Sequence, residues 1–324
     1  MMMLLLFSIF LLTLLVITAI AIVRTPNLFV AVMLMGIFSL LMSVNFFILD
    51  AADVALTEAA VGAGISTVLF LSALALTSHN EHPIKRNRWF PLIVVTAVTL
   101  TLTYATLDQP QLGDPEAPVH QHVAPWYLEN TQALMDIPNV VTAVLGSFRG
   151  YDTLGEVMVV FTAAMGVMLL LGPLSTARSI SPTSGLRRHL IPRVVGRLLV
   201  PFIVLFGLYV QFHGDFGPGG GFQAGALIAA AFILYALLEG EGQALKVLPA
   251  GVITGMLAGG LFLYGTVGLF GILLGGNFLD YSVLAVDPVA GQHLGILLIE
   301  AGVGITVCGA LLFIFHAFAA REVQ

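Results

Sequence analysis

The sequence predicts an all-α polytopic integral membrane protein of about nine transmembrane helices, with the N-terminus outside and the C-terminus cytoplasmic. Three observations predict it. Of the 324 residues, 58% are apolar and only 9% are charged, whereas a soluble domain carries roughly a quarter charged residues. Nine stretches come close to the ~20 apolar residues needed to cross a hydrocarbon core about 30 Å thick. With nine crossings, eleven of the twelve basic residues fall on one side, which is the asymmetry that marks cytoplasmic loops.

The spans are 2–23, 27–49, 54–77, 90–107, 154–174, 195–212, 222–239, 247–273 and 294–319. Inside a bilayer every backbone polar group needs an internal partner, so these are helices and not strands. The first 23 residues lack a basic leader and an Ala-x-Ala site, and read as a retained helix, not a signal peptide. Arg24, Lys85, Arg86, Arg88, Arg178, Arg187, Arg188, Arg193, Arg197, Lys246 and Arg321 are then cytoplasmic, and Arg149 alone lies outside.

Composition divides the chain into four parts: helices over 1–107, an outer loop and one helix over 108–175, a basic cytoplasmic linker over 176–194, and a four-helix unit over 195–324. In the outer loop, the spacing of Leu134, Ile137, Val140, Val141, Val144 and Leu145 predicts an interfacial helix. A single cysteine, Cys308, excludes an intrachain disulfide and any Cys-rich metal or iron–sulfur site. The net charge of −6 and the lack of a long basic run exclude a nucleic-acid partner. No nucleophile–base pair, cofactor motif or metal cluster is present in the sequence, so an independent enzyme is not expected and no cofactor is.

Ionisable groups at membrane depth are costly, so each asks for a reason. Glu58, one turn into the third span, is followed by Ala-Ala-Val-Gly-Ala-Gly, a small surface that suits helix packing or a water-lined path. Asp53, a turn earlier, reads as interfacial. Glu300 repeats the arrangement before Ala301-Gly302-Val303-Gly304, with His293 two turns ahead of it as a group able to hand on a proton. His316 reads as an interfacial residue near the cytoplasmic end. Glu156 follows Asp152 and Thr153, either of which is a good N-cap, so a capping box alone would explain it. Between the sixth and seventh spans, His213-Gly-Asp-Phe-Gly-Pro218-Gly219-Gly220-Gly221-Phe-Gln223 has more glycine than a hairpin needs. Such glycines let bare backbone line a cavity or meet another subunit. No Lys or Arg lies in the middle of any span. Antiporter-type pumping units keep such lysines, so this chain reads as non-pumping.

Three of these stretches carry a family resemblance. Residues 28–78, with Asp53-Val-Ala-Leu-Thr-Glu58-Ala-Ala-Val-Gly-Ala-Gly, resemble the MbhD-like segment of the large Mrp antiporter subunit. Phe148-Arg-Gly-Tyr-Asp-Thr-Leu-Gly-Glu156 resembles the MbhE-like motif that follows it. His213 to Gly225 is similar to the MnhB/MrpB signature, with Asp215 and Ala224 where the family commonly has His and Gly. The resemblance implies a fused, non-pumping subunit of a multisubunit Mrp-type Na⁺/H⁺ antiporter in the prokaryotic cell membrane. Its implied partners are a large MrpA-like chain and MrpC-, MrpD-, MrpE-, MrpF- and MrpG-like subunits, with Na⁺ and H⁺ as ions. Glu58 and Glu156 match the acidic residues of their motifs, whereas Glu300 rests on its setting alone. Two other readings remain: a purely structural scaffold, and an ion-translocating module of a hydrogenase-like redox complex.

Overall fold

The computed structural model describes residues 2–81, 89–111, 113–174 and 189–321, with side chains from residue 6 onward. Among them nine helices are long and apolar enough to cross a membrane. They are α1 (Met2–Arg24), α2 (Leu28–Ile48), α3 (Ala52–Leu74), α4 (Trp89–Leu107), α7 (Gly150–Leu171), α8 (Leu190–His213), α9 (Gly221–Glu239), α11 (Ala250–Leu273) and α12 (Pro288–Ala319). Shorter helices are α5 (Ala124–Met135), α6 (Val140–Ala143) and α10 (Glu241–Val247). The expected linker over 176–194 and the expected cytoplasmic residues Lys85, Arg86, Arg88, Arg178, Arg187 and Arg188 fall outside the described residues, apart from 189–194.

The centre of the bundle is α12, packed against α11, α9 and α7. Small residues permit this. A Cβ on Gly225 of α9 would lie 2.5 Å from the carbonyl oxygen of Gly304, and one on Gly302 would lie 2.8 Å from that of Gly260 on α11. Lipid tails are as apolar as the side chains, so close van der Waals packing holds such helices together. At the N-terminal side, α1 packs on α2 and α2 packs on α3. The middle of α3, Glu58–Ile65, is a π-helical stretch that contacts both α2 and α9. Every residue of α4 is exposed, so that helix presents all its side chains outward.

Several boundaries differ from expectation for local reasons. α12 starts at Pro288, six residues before the apolar run, because the Asp287 side chain caps Val289 N–H and proline suits the first turn. The expected interfacial helix is interrupted. α5 ends at Asp136 in a left-handed conformation (φ +53°), and Asn139 starts α6 by capping Val141 N–H. The span expected to begin at 247 begins at Ala250, with α10 folded ahead of it.

Loops sort to two ends, as alternating crossings require. At one end Asn139 Nδ2 donates to the carbonyls of Gly214 (3.0 Å) and Gly217 (2.9 Å), and Ser147 Oγ donates to Gln292 Oε1 (2.7 Å). Tyr281 OH donates to Gly146 O there (3.0 Å), and burial raises the Tyr281 phenol above its ordinary range. At the other end Arg321 donates to Leu171 O (2.8 Å), and Arg193 and Arg197 meet Glu239.

Candidate functional site

The site is built at the first of these ends, around the glycine turn that joins α8 to α9. Phe216 and Gly217 N–H groups donate back to His213 O, and Gly220 N–H donates to Val210 O at 3.1 Å. Gly220 has φ +124°, a conformation that side-chain-bearing residues rarely adopt. At Gly221 the constraint is contact: a Cβ there would overlap the Glu300 carbonyl and lie 3.0 Å from Gly304 N. The bare backbone thus brings the turn down onto α12.

Glu300 lies directly under the turn. Added Cβ atoms on Gly214 and Gly220 would meet its Oε2 at 3.2 Å and its Oε1 at 3.4 Å. From the other side comes Asp53, in the first turn of α3. Its Oδ1 accepts the N–H of Gly219 at 3.2 Å, so Asp53 is engaged with the turn. One turn on, Thr57 Oγ1 donates to Asp53 O (2.9 Å) and accepts from Gln223 Nε2 (2.8 Å).

These groups enclose a cavity of about 410 Å³, lined among others by Asp53, Glu156, Glu300, Thr142, Gly220 and Gln223, with apolar walls from α6, α7 and α12. Its lining carries three carboxylates and neither Lys nor Arg. Glu156 reaches it from α7 and is itself exposed. The capping box expected around Glu156 does not form, because α7 starts earlier, at Gly150. Asp152 instead pairs with Arg149 (2.6 Å), and Thr153 Oγ1 donates to Leu145 O (2.8 Å).

The remaining candidates do not line the cavity. Glu58 turns its carboxylate toward Gly62 of its own helix and Ser39 of α2. His293 Nδ1 lies 3.6 Å from Asp215 Oδ2, and the His213 ring stacks on Tyr209 with centroids 4.8 Å apart. Pro218 is exposed on the turn. His316, near the end of α12, is buried against α10. Sequence reasoning missed Thr57, Asn139 and Thr142, which tie the turn to the rest of the site; Thr142 Oγ1 donates to Gly214 O at 2.7 Å. Only Thr57 had a local signal, its place one turn after Asp53. Among the described residues no three His, Cys, Asp or Glu side chains converge to hold a metal ion.

Three family matches cover most of the chain. Residues 13–79 match the MbhD family and residues 84–184 the MbhE family, each described as a subunit of MBH. Residues 191–313 match a domain related to the MnhB subunit of Na⁺/H⁺ antiporter. A curated relative in Staphylococcus aureus, named "Putative antiporter subunit mnhB2", is 34% identical over 37% of this chain and 86% of its own length. The solved Mrp complex from Dietzia sp. DQ12-45-1b contains a chain with TM-score 0.76 and 28% identity, over 95% of this chain. This chain spans only 34% of that one. A chain of the membrane-bound sulfane sulfur reductase, an archaeal respiratory membrane complex, matches with TM-score 0.55 and 30% identity over 71% of this chain and 97% of its own. The three cavity carboxylates come one from each matched segment: Asp53, Glu156 and Glu300.

Proposed function

We propose, for a chain that belongs to the family of Mrp-type antiporter subunits and fuses MbhD, MbhE and MnhB domains, that it lines part of an ion or proton path with Asp53, Glu156 and Glu300. The observation that carries this reading is the cavity those three carboxylates share. A carboxylate at membrane depth is expensive unless it meets water, a cation or a partner. Three around one void, with no cationic side chain in its lining, favour holding a proton or a monovalent cation among them, because like charges sharing a site resist ionising together. Glutamine and threonine beside them supply neutral oxygens suited to a partly dehydrated cation. Transport fits this lining better than catalysis does.

The rest of the fold supports a place within a larger assembly. α4 keeps its whole surface exposed, and α8 exposes Leu198, Phe202, Leu205 and Phe206. Other antiporter subunits and lipid are the covers this reading assigns to them. The chain has no lysine inside its spans, so on this reading the pumping lysine lies outside these 324 residues. Of the described basic residues, Arg24, Arg193, Arg197, Lys246 and Arg321 lie at the end opposite the cavity, and Arg149 lies beside it. On the positive-inside rule the cavity therefore faces outward.

The test is cation-driven proton movement in everted vesicles bearing the assembled complex. Glu300→Gln and Asp53→Asn keep volume and remove charge; each is expected to lower exchange by about tenfold or more, equivalent to ~1.4 kcal/mol. Wild-type exchange by both variants in intact complexes would make the chain a scaffold. Copurification with redox subunits would move the same module into a respiratory complex.

A further inference from the structure

A second ionisable cluster sits at the opposite end of α12, away from the cavity. His316 is 3% exposed, and its Nδ1 lies 3.6 Å from Glu241 Oε1 on α10, a carboxylate whose side chain is 9% exposed. Among the described residues that nitrogen has no hydrogen-bond partner. Glu239, the last residue of α9, points elsewhere: Arg193 Nε lies 3.2 Å from it, and Arg197 contacts it as well. Gly240, at φ +93°, makes the corner between the two carboxylates, and a residue with a side chain would be strained there. Glu239 thus has two guanidiniums, while Glu241 faces a histidine.

Among the described residues, the other elements around the pair bring no competing charge. Arg321 is turned to the Leu171 carbonyl. Lys246, on α10, is exposed. On α11 the one titratable side chain is Tyr264, which donates to Gly150 O near the cavity end. A buried polar atom without a partner costs free energy, and a buried charge costs more. Without a proton between them, an imidazole lone pair and a carboxylate leave each other unsatisfied. A neutral imidazole with its hydrogen on Nδ1 turns that hydrogen to the carboxylate; one further proton, bound at Nε2, makes the imidazolium, whose charge the carboxylate balances.

We propose that His316 and Glu241 form a proton-binding pair at the end of the bundle opposite the cavity, taking one proton from the compartment on that side. The step is proton binding and release alone, with no bond formed to carbon and no electron moved. It gives α12 a second acid–base group, His316 near its C-terminal end, besides Glu300 nearer its middle. Its role in transport rests on the cavity being an ion path, but its existence does not.

Everted vesicles expose this end to the bath, so bath pH can be varied against a fixed interior. Glu241→Gln and His316→Gln are each expected to assemble and to displace the pH profile of exchange by about half a unit or more, as loss of a charge partner within about 4–6 Å does. The double variant should move it no further than the larger single one. Melting of the purified complexes between about pH 5 and 8, where histidine changes charge, gives a readout independent of transport. Profiles and melting curves that superimpose on wild type overturn the pair, and so does failure of both variants to assemble, which would assign it to folding. If Glu300→Gln and Asp53→Asn exchange normally while the inner variants still shift the melting curve, the cavity reading fails and the pair stands.

Discussion

Gln223 on α9 donates to Thr57 Oγ1 on α3 at 2.8 Å, joining side chains 166 residues apart in the chain. The same hydroxyl passes its own hydrogen to Asp53 O, and Asp53 Oδ1 receives the N–H of Gly219. Asn139 and Thr142 hold the other flank of the turn through Gly214 and Gly217. The α8–α9 turn therefore fastens all three matched segments at one place, and the cavity exists only where they meet.

If the Gln223–Thr57 bond is part of that fastening, a double-mutant cycle detects it. Thr57→Val and Gln223→Leu should each lower the unfolding temperature of the purified chain in detergent. Together they should cost less than the sum, with a coupling of about 0.6 kcal/mol, typical of side-chain hydrogen bonds between membrane helices. Strict additivity would mean that the two side chains do not support each other.

Glycines in this fold are unequal, which gives a second prediction. A methyl at Gly221 meets the Glu300 backbone, whereas one at Gly265 meets nothing within 4 Å. Gly221→Ala should cost roughly 1–3 kcal/mol, as overpacking does, and reduce the yield of folded chain. Gly265→Ala should be neutral or slightly stabilising, since alanine is the better helix former. Equal melting temperatures for the two variants would refute the close approach of α9 and α12.

The nine helices were legible because apolar length depends on the bilayer and hardly on packing. The boundary of α12 was legible too, in Asp287-Pro288, but the apolar run drew attention past it. What stayed hidden arises from tertiary contact. The π-helical stretch at Glu58–Ile65 packs on α2 and α9, and it leaves Glu58 beside Ser39 instead of in the cavity. Nothing local announces that the turn near residue 219 will meet Asp53. Nor does the sequence near His316 announce that α10 will bury it.

Sidedness makes a third prediction. In a Cys308→Ala background, cysteines at Gln111 and Gln243, both exposed, should be labelled by a membrane-impermeant thiol reagent from opposite sides. Gln111 follows α4 and Gln243 lies on α10, at the end rich in arginine and lysine. Outside labelling of Gln111→Cys alone in intact cells would match the basic-residue asymmetry. Labelling of both from one side would remove the alternating topology.

The last prediction ranks the carboxylates. The sequence sets Glu58 and Glu300 alike among small residues, and the family resemblance adds a motif match for Glu58 alone of the two. Geometry puts Glu300 ahead. Glu300 and Asp53 border the cavity and touch the glycine turn, while Glu58 lies at the contact of α2 and α3, with its carboxylate against Gly62 and Ser39. A group that conducts has to meet the ion or the water that carries the proton, so position in the cavity outweighs burial between helices. Glu300→Gln should therefore reduce exchange by about tenfold or more at unchanged assembly, and Glu58→Gln by about threefold or less, on the scale where ~1.4 kcal/mol is a factor of ten. Glu156→Gln should fall between them, because Glu156 lines the cavity from its exposed side. The comparison is decided by initial rates in everted vesicles, normalised to the amount of intact complex. Should Glu58→Gln abolish exchange while Glu300→Gln does not, the path runs between α2 and α3, and the cavity serves the packing of the three segments alone.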